Sequence, residues 1–222
     1  TNFPGFTQTG DALLGKGPGT MAQKGALLAA AASILRYHQN RNELPSPYGL
    51  ADPASLNQFL TSHCLFDLQG VQICDGFVTV PQSGEQIVNL WRLADFVGGN
   101  LTVAVEKVRL DTARDLVGQG TPVLLGLALA ADNAAAGSHF VVAVGVGGDG
   151  GVQIHDPSPV FARTSLGEYL AGFSSGSRAW KGALNSVIRL LPVVPSPVGF
   201  FVTGDVAFEI ASPAGLCGPA LE

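Results

Sequence analysis

The feature that most constrains this chain is an apolar run of ten residues, 26–35, in which Ser33 is the only polar side chain. Alanine and leucine supply most of the run, and both favour helix. Thr20 is a suitable N-cap, so we predict a helix from residue 20 to about residue 39. A helix without a polar face is buried nearly all round. The run is shorter than the ~18 residues that a membrane-spanning helix needs, so we expect no membrane span.

Helical patterns dominate the first part of the chain and strand patterns the second. The predicted helices cover residues 20–39, 52–62, 83–96 and 111–119, and the predicted strands cover residues 123–129, 139–146, 152–155, 183–191 and 198–209. Helices followed by an antiparallel sheet are typical of an α+β protein. No linker-like segment divides the chain. We therefore expect one domain over residues 1–222, mainly helical to about residue 120 and mainly strand from about residue 121.

The composition predicts an unusually neutral surface. Charged residues make up 13% of the chain, against roughly 25% in ordinary soluble domains. The net charge is -5 and no lysine or arginine cluster is present. Nucleic acids and anionic membranes bind basic surfaces, so we expect neither as a partner. A neutral surface is readily buried in contacts between proteins, which favours a protein or peptide partner.

The chain has three cysteines. Cys64 and Cys74 flank a short segment and are spaced to close a hairpin disulfide in an oxidising compartment. The alternative is a pair of buried thiols. Cys217 is left over near the C-terminus and is interpreted as a spectator. No cysteine or histidine spacing is typical of a metal site, so we expect no metal and no cofactor.

A glycine-rich hairpin predicts one specific contact between two polar side chains. The sequence Gly147-Gly-Asp-Gly-Gly151 suits a tight turn between two strands. Such a turn places Asp156 opposite residues 141–143, a few residues from His139 at ~3.3 Å each. His155 points to the opposite face from Asp156 and is interpreted as a bystander. The hairpin therefore predicts that His139 and Asp156 lie within reach of each other.

Four segments form an ordered set of motifs. The first is Thr20-Met-Ala-Gln-Lys-Gly-Ala-Leu-Leu-Ala-Ala-Ala-Ala-Ser-Ile-Leu-Arg-Tyr-His38, in which a Gly-Ala pair precedes a small-residue helix. The others are Asp52-Pro-Ala-Ser-Leu-Asn-Gln-Phe-Leu60, Gly137-Ser-His-Phe-Val-Val-Ala-Val-Gly145 and Val152-Gln-Ile-His-Asp-Pro-Ser158. In this order they resemble the nucleophile helix, a second helix, the histidine strand and the aspartate strand end of C39-like cysteine peptidases. That family is a branch of the papain-like enzymes.

The resemblance implies a papain-like fold, with an N-terminal helical half and a C-terminal antiparallel β half on either side of a cleft. It implies that His139 is the catalytic histidine and that Asp156 orients its ring. Ala26 occupies the nucleophile position, where the family has cysteine. Gln8 resembles the glutamine that contributes to the family's oxyanion hole, and Gln23 is the alternative.

Without a nucleophile, the chain is not expected to cleave a peptide through a covalent acyl-enzyme. Our leading prediction is a catalytically inactive C39-like peptidase-fold protein, secreted or on the cell surface, that binds peptides or assembles into a structure. Its partners would be a peptide or protein in the cleft, or further copies of the chain in a homo-oligomer or filament. The alternative is an active C39-like cysteine peptidase, or a cell-wall amidase, captured as a Cys-to-Ala mutant at Ala26.

Overall fold

The structure is a computed structural model that describes residues 2–66, 68–70 and 72–193, together with the backbone of residues 211–212 and 215–216. The predicted strand 198–209 and Cys217 lie outside the described residues. The helices are α1 (Met21–Lys24), α2 (Ala26–Asn40), α3 (Pro53–Ser62), α4 (Leu93–Phe96), α5 (Leu110–Gly118) and α6 (Leu166–Ala171), with a 3-10 turn at Leu90–Arg92.

The strands form one large antiparallel sheet and three small pairs. Their bounds are β1 (Cys64–Phe66), β2 (Gln72–Cys74), β3 (Phe77–Thr79), β4 (Gln86–Val88), β5 (Leu101–Val105), β6 (Val123–Ala131), β7 (Ala134–Val146), β8 (Val152–His155), β9 (Phe173–Ser175), β10 (Arg178–Pro192), β11 (Ala211–Ser212) and β12 (Gly215–Leu216). The large sheet has the order β5-β10-β6-β7-β8, and β9 also pairs with β10. Every pairing is antiparallel. The predicted α+β class is therefore confirmed.

Helices cover both faces of the large sheet. Successive strand residues point to opposite faces, so Leu124 and Val142 pack in the cluster that contains α2. Leu125 and Val141 pack in a second cluster with side chains from α5 and α6. The longest helix precedes residue 120 and the longest strands follow it, but each half of the chain contains both kinds of element. Strands β1 to β5 precede residue 120, and α6 follows it.

Gly25 divides the predicted helix 20–39 into α1 and α2. It ends α1 and begins α2, and its backbone N–H donates to the carbonyl oxygen of Met21. A Cβ at position 25 would collide with that same carbonyl oxygen, so only glycine fits. The consequence for the site is that α2 starts at Ala26. As predicted, α2 is buried almost all round, and within the described residues no helix is long and apolar enough to cross a membrane.

The predicted helix 83–96 is wrong over most of its length. Residues 86–88 form β4, which pairs with β3 through Phe77 and Val88. The strand ends at Val88, and the side chain Nδ2 of the next residue, Asn89, donates to the carbonyl oxygen of Asp75. Only Leu93–Phe96 is α-helical. The apolar spacing that suggested a helix reflects a strand followed by a tight turn, because the partner strand β3 decides the conformation.

The two cysteines form the disulfide that was one of the alternatives. Cys64 and Cys74 lie directly opposite each other in the β1–β2 pair, and their sulfur atoms are bonded. The bond closes a loop with a sequence separation of 10 residues. It holds together a two-stranded sheet that is separate from the large one, and a pair of this size is marginal without such a link.

A buried serine fastens the N-terminal segment to α2, and its removal should destabilise the protein. Ser33 Oγ accepts a hydrogen bond from the Phe6 backbone N–H and donates one to the Ala29 carbonyl. Ser33→Ala leaves that N–H without a partner, so we expect a loss of about 1–3 kcal/mol in the free energy of unfolding. Urea denaturation measures this loss. The control Ser62→Ala removes an exposed helix serine and should cost less than about 0.5 kcal/mol; equal losses would contradict the assignment.

Candidate functional site

A cleft of about 650 Å³ brings together residues that are far apart in the sequence. One side is formed by the N-terminal segment and the start of α2, and another by β7 and the loop after β8. The residues with most bearing on its chemistry are Gln8, Ala26, Ser138, His139, Phe161 and Trp180. The structure therefore gathers the predicted nucleophile position, the predicted histidine and both glutamine candidates, because Gln23 also lines this cleft.

Ala26 is the first residue of α2. A helix N-terminus carries partial positive charge and backbone N–H groups without intrahelical partners. A thiol at this position would have its pKa lowered by that environment. The methyl group of Ala26 offers no such chemistry, so the position predicted for the nucleophile carries no reactive atom.

His139 and Asp156 are in direct contact, as the hairpin predicted. His139 Nε2 donates to Asp156 Oδ1 across 2.7 Å. Their side chains are only 6% and 1% exposed. The register that produces this contact pairs Val142 with His155. The other ring nitrogen, Nδ1, makes no hydrogen bond with the described residues.

Four hydrogen bonds hold the Asp156 carboxylate. In addition to His139, the backbone N–H of Ser158 donates to Oδ1, while the Tyr169 hydroxyl and the backbone N–H of Arg163 donate to Oδ2. Burial raises the pKa of Asp156, but the hydrogen bonds from His139, Tyr169 and Ser158 lower it. The net effect places the pKa below its ordinary value. Asp156 is therefore ionised at neutral pH and fixes the orientation of the imidazole.

Aromatic rings pack against this pair. Tyr169 is fully buried, and burial together with the hydrogen bond to Asp156 raises the pKa of its hydroxyl, which keeps it a donor. The ring of Phe161 meets His139 edge-on, with centroids 5.6 Å apart. Phe161 also contacts Trp180 and Phe173. These rings exclude water and strengthen the electrostatic interaction between the imidazole and the carboxylate.

The geometry favours Gln8 over Gln23 as the polar side chain beside position 26. Gln23 Oε1 accepts a hydrogen bond from the Thr20 backbone N–H, so this side chain caps α1. Gln8 is buried, and its backbone N–H donates to the Pro157 carbonyl. Its Nε2 donates to the Ala22 carbonyl, while Oε1 is buried without a partner. The amide nitrogen has a second hydrogen, which remains available to a ligand.

The sequence did not identify Tyr169 or Phe161 as parts of the site. Tyr169 lies on α6, which was not predicted. The signal for α6 was a capping box, in which the side chain of Ser165 accepts from the helix backbone and Glu168 accepts from the backbone N–H of Ser165. His155 acts as expected: its Nε2 donates to the Phe6 carbonyl and takes no part in the pair.

Comparison of the chain with protein-family models, with curated proteins and with solved structures found no match. Among the described residues, no group of three or more histidine, cysteine, aspartate or glutamate side chains is placed to hold a metal ion. The features of the chain that indicate a function are therefore the cleft and the His139–Asp156 pair within it.

Replacing Asp156 should destabilise the protein in a pH-dependent way. Asp156→Asn removes the charge that His139 and Tyr169 face, and we expect a loss of about 2–4 kcal/mol at pH 7. The pKa of Asp156 is lower in the folded protein than in the unfolded chain, where it is about 3.9. The ionised carboxylate therefore contributes its full share to the free energy of unfolding above about pH 3.9. This contribution is lost as the pH falls through the pKa of the folded protein. The stability difference between the two proteins should therefore be constant near neutral pH and shrink below about pH 4.

Urea titrations across this pH range measure the difference directly. The control is Asp132→Asn, because Asp132 accepts hydrogen bonds from Arg178 and from the Ala179 backbone but is exposed. It should show a smaller loss than Asp156→Asn. If the loss in the free energy of unfolding caused by Asp156→Asn stays the same below the pKa of the unfolded aspartate, the charge of Asp156 does not stabilise the protein as described.

Proposed function

We propose that this chain is a C39-like, papain-type scaffold whose cleft binds a peptide without cleaving it. The observation that carries the proposal is the position of Ala26. It is the first residue of α2 and lines the same cleft as His139, whose Nε2 is committed to Asp156. Papain-type chemistry needs a thiol at that helix terminus. With a methyl group there, binding remains and acyl transfer does not.

The chemistry of the cleft supports a peptide as the ligand. Its volume of about 650 Å³ lies in the range of ~300–1,000 Å³ that is usual for ligand sites. Apolar side chains make up the larger part of the lining, and polar side chains lie among them. The apolar side chains include Leu14, Leu27, Ile87, Val88, Leu129 and Phe161. Such a surface suits the apolar side chains of a peptide, and Gln8 and Ser138 suit its backbone.

The setting we propose is extracellular. The disulfide between Cys64 and Cys74 is of a kind that persists in oxidising compartments. The low fraction of charged residues also favours self-assembly, since little electrostatic repulsion keeps copies apart. Assembly into an oligomer or filament remains a second use of the same scaffold. Its strongest sequence candidate, the strand 198–209, lies outside the described residues.

A second candidate function is an active cysteine peptidase, or a cell-wall amidase, with cysteine as the native residue 26. The completeness of the His139–Asp156 pair favours it. A protein that only binds peptides has no need of an imidazole held by a carboxylate with four hydrogen bonds. The codon at position 26 of the encoding gene separates the two functions. A cysteine codon there would overturn the proposal of an inactive scaffold.

Restoring a thiol tests whether position 26 is a nucleophile site. In a Cys217→Ser background, Ala26→Cys should create a thiol whose pKa is lowered by the helix terminus and by His139. We expect iodoacetamide to modify it at neutral pH roughly tenfold faster than free cysteine. Adding His139→Gln should remove most of this enhancement. Modification no faster than that of free cysteine would remove the support for the assignment of Ala26, His139 and Asp156.

Peptide binding is the direct test of the proposed function. Trp180 lines the cleft and Trp91 does not, so Trp91→Phe leaves a single tryptophan that reports on the cleft. Titration with blocked hexapeptides of alanine, leucine and glycine should shift its emission and saturate. Ala22→Phe, at an exposed residue of the cleft lining, should weaken binding, whereas Ala54→Phe, on an exposed part of α3, should not. Equal affinities in the two variants would place binding elsewhere.

A further inference from the structure

The first part of β7 has one edge that pairs with no other strand. Strand β7 pairs with β6 along its length, from Ala134 to Ala143. On the other side, β8 pairs only with residues 142–146 of β7. All of residues 134–138 are exposed. In the described part of the chain, the backbone groups on the outer side of this segment are therefore available to another strand.

The chain after β8 does not extend the pairing along this edge. Asp156 turns inward to His139, and the next residue, Pro157, has no backbone N–H to offer. The carbonyl of Pro157 accepts instead from the Gln8 backbone N–H. The Ser158 backbone N–H is engaged as well, because it donates to Asp156. The open edge therefore follows from how the site itself is built.

The open edge has no charge to repel an added strand. Its residues are Ala134, Ala135, Ala136, Gly137 and Ser138. Natural edge strands are usually protected by lysine, proline or inward-pointing charges, and none of these occurs here. The nearby Asp132 and Arg178 pair with each other. The one irregularity is a bulge, since Gly137 pairs with Leu129 while Ala135 pairs with Ala130.

We propose that residues 134–138 bind the backbone of the peptide ligand as an added β-strand, which leads the peptide past His139. This inference rests on the proposed function and specifies its ligand as an extended, uncharged peptide. Residues Ala136, Gly137 and Ser138 line the cleft together with Ala26, so one peptide can occupy both the edge and the cleft. The charged residues of the lining, Lys24 and Glu85, neutralise each other across 2.6 Å, which leaves no charge for the ligand to match.

If the peptide binds as an added strand, only alternate backbone N–H groups of the peptide form hydrogen bonds with the protein. An added strand directs alternate N–H groups toward the sheet edge. We would methylate the backbone nitrogens of one blocked alanine, leucine and glycine hexapeptide, one position at a time, and titrate each form against the Trp91→Phe protein. Methylation at alternate positions should weaken binding roughly fivefold to tenfold, as expected for one lost hydrogen bond. The intervening positions should change it less than about twofold.

Hydrogen exchange of the protein amides locates the same contact. The unmodified hexapeptide should slow exchange within residues 134–138. Exchange in β5, at the opposite end of the sheet, serves as the internal control and should not change. If the hexapeptide binds but methylation shows no alternating effect and residues 134–138 are not protected, this inference is wrong. The proposed peptide-binding function would then still hold.

Two further outcomes are distinct. If none of the hexapeptides binds, the edge assignment and the proposed function both fail. If residues 134–138 become protected without peptide as the protein concentration rises, a second copy of the chain occupies the edge, and the peptide assignment is overturned.

Discussion

The interaction on which the rest of the site depends is the set of hydrogen bonds accepted by the Asp156 carboxylate. It joins β7 through His139, α6 through Tyr169, and the loop after β8 through Ser158 and Arg163. A buried carboxylate is costly unless its oxygen atoms are paired. The same carboxylate therefore positions the imidazole and holds the loop after β8 through two backbone N–H groups.

The parts of the fold that local chemistry determines were predictable from the sequence. Asp52 precedes a proline and caps α3, where it accepts from the backbone N–H groups of Ala54 and Ser55. The glycine-rich turn fixes a short hairpin, and the register within it brings Asp156 to His139. In both cases the decisive groups lie within about twenty residues of one another, so spacing along the chain was sufficient.

Elements that depend on distant partners were not predictable in the same way. Residues 83–96 have helical spacing, but pairing with β3 converts part of them to a strand. Tyr169 reaches Asp156 from a helix whose only signal was its capping box. The break at Gly25 follows from a close approach to the Met21 carbonyl that composition does not reveal. Each of these features affects the cleft, so the sequence predicted the contact between His139 and Asp156 better than its surroundings.

The most direct test of the central claim is the tautomeric state of the neutral His139 ring, measured by nitrogen-15 NMR. The structure predicts that Nε2 carries the proton, because it donates to Asp156, and that Nδ1 is the free acceptor at the cleft. The Nε2 proton should exchange slowly, and Asp156→Asn should speed its exchange. A proton on Nδ1, or an Nε2 signal that is unaffected by Asp156→Asn, would contradict the claim that Asp156 orients the ring.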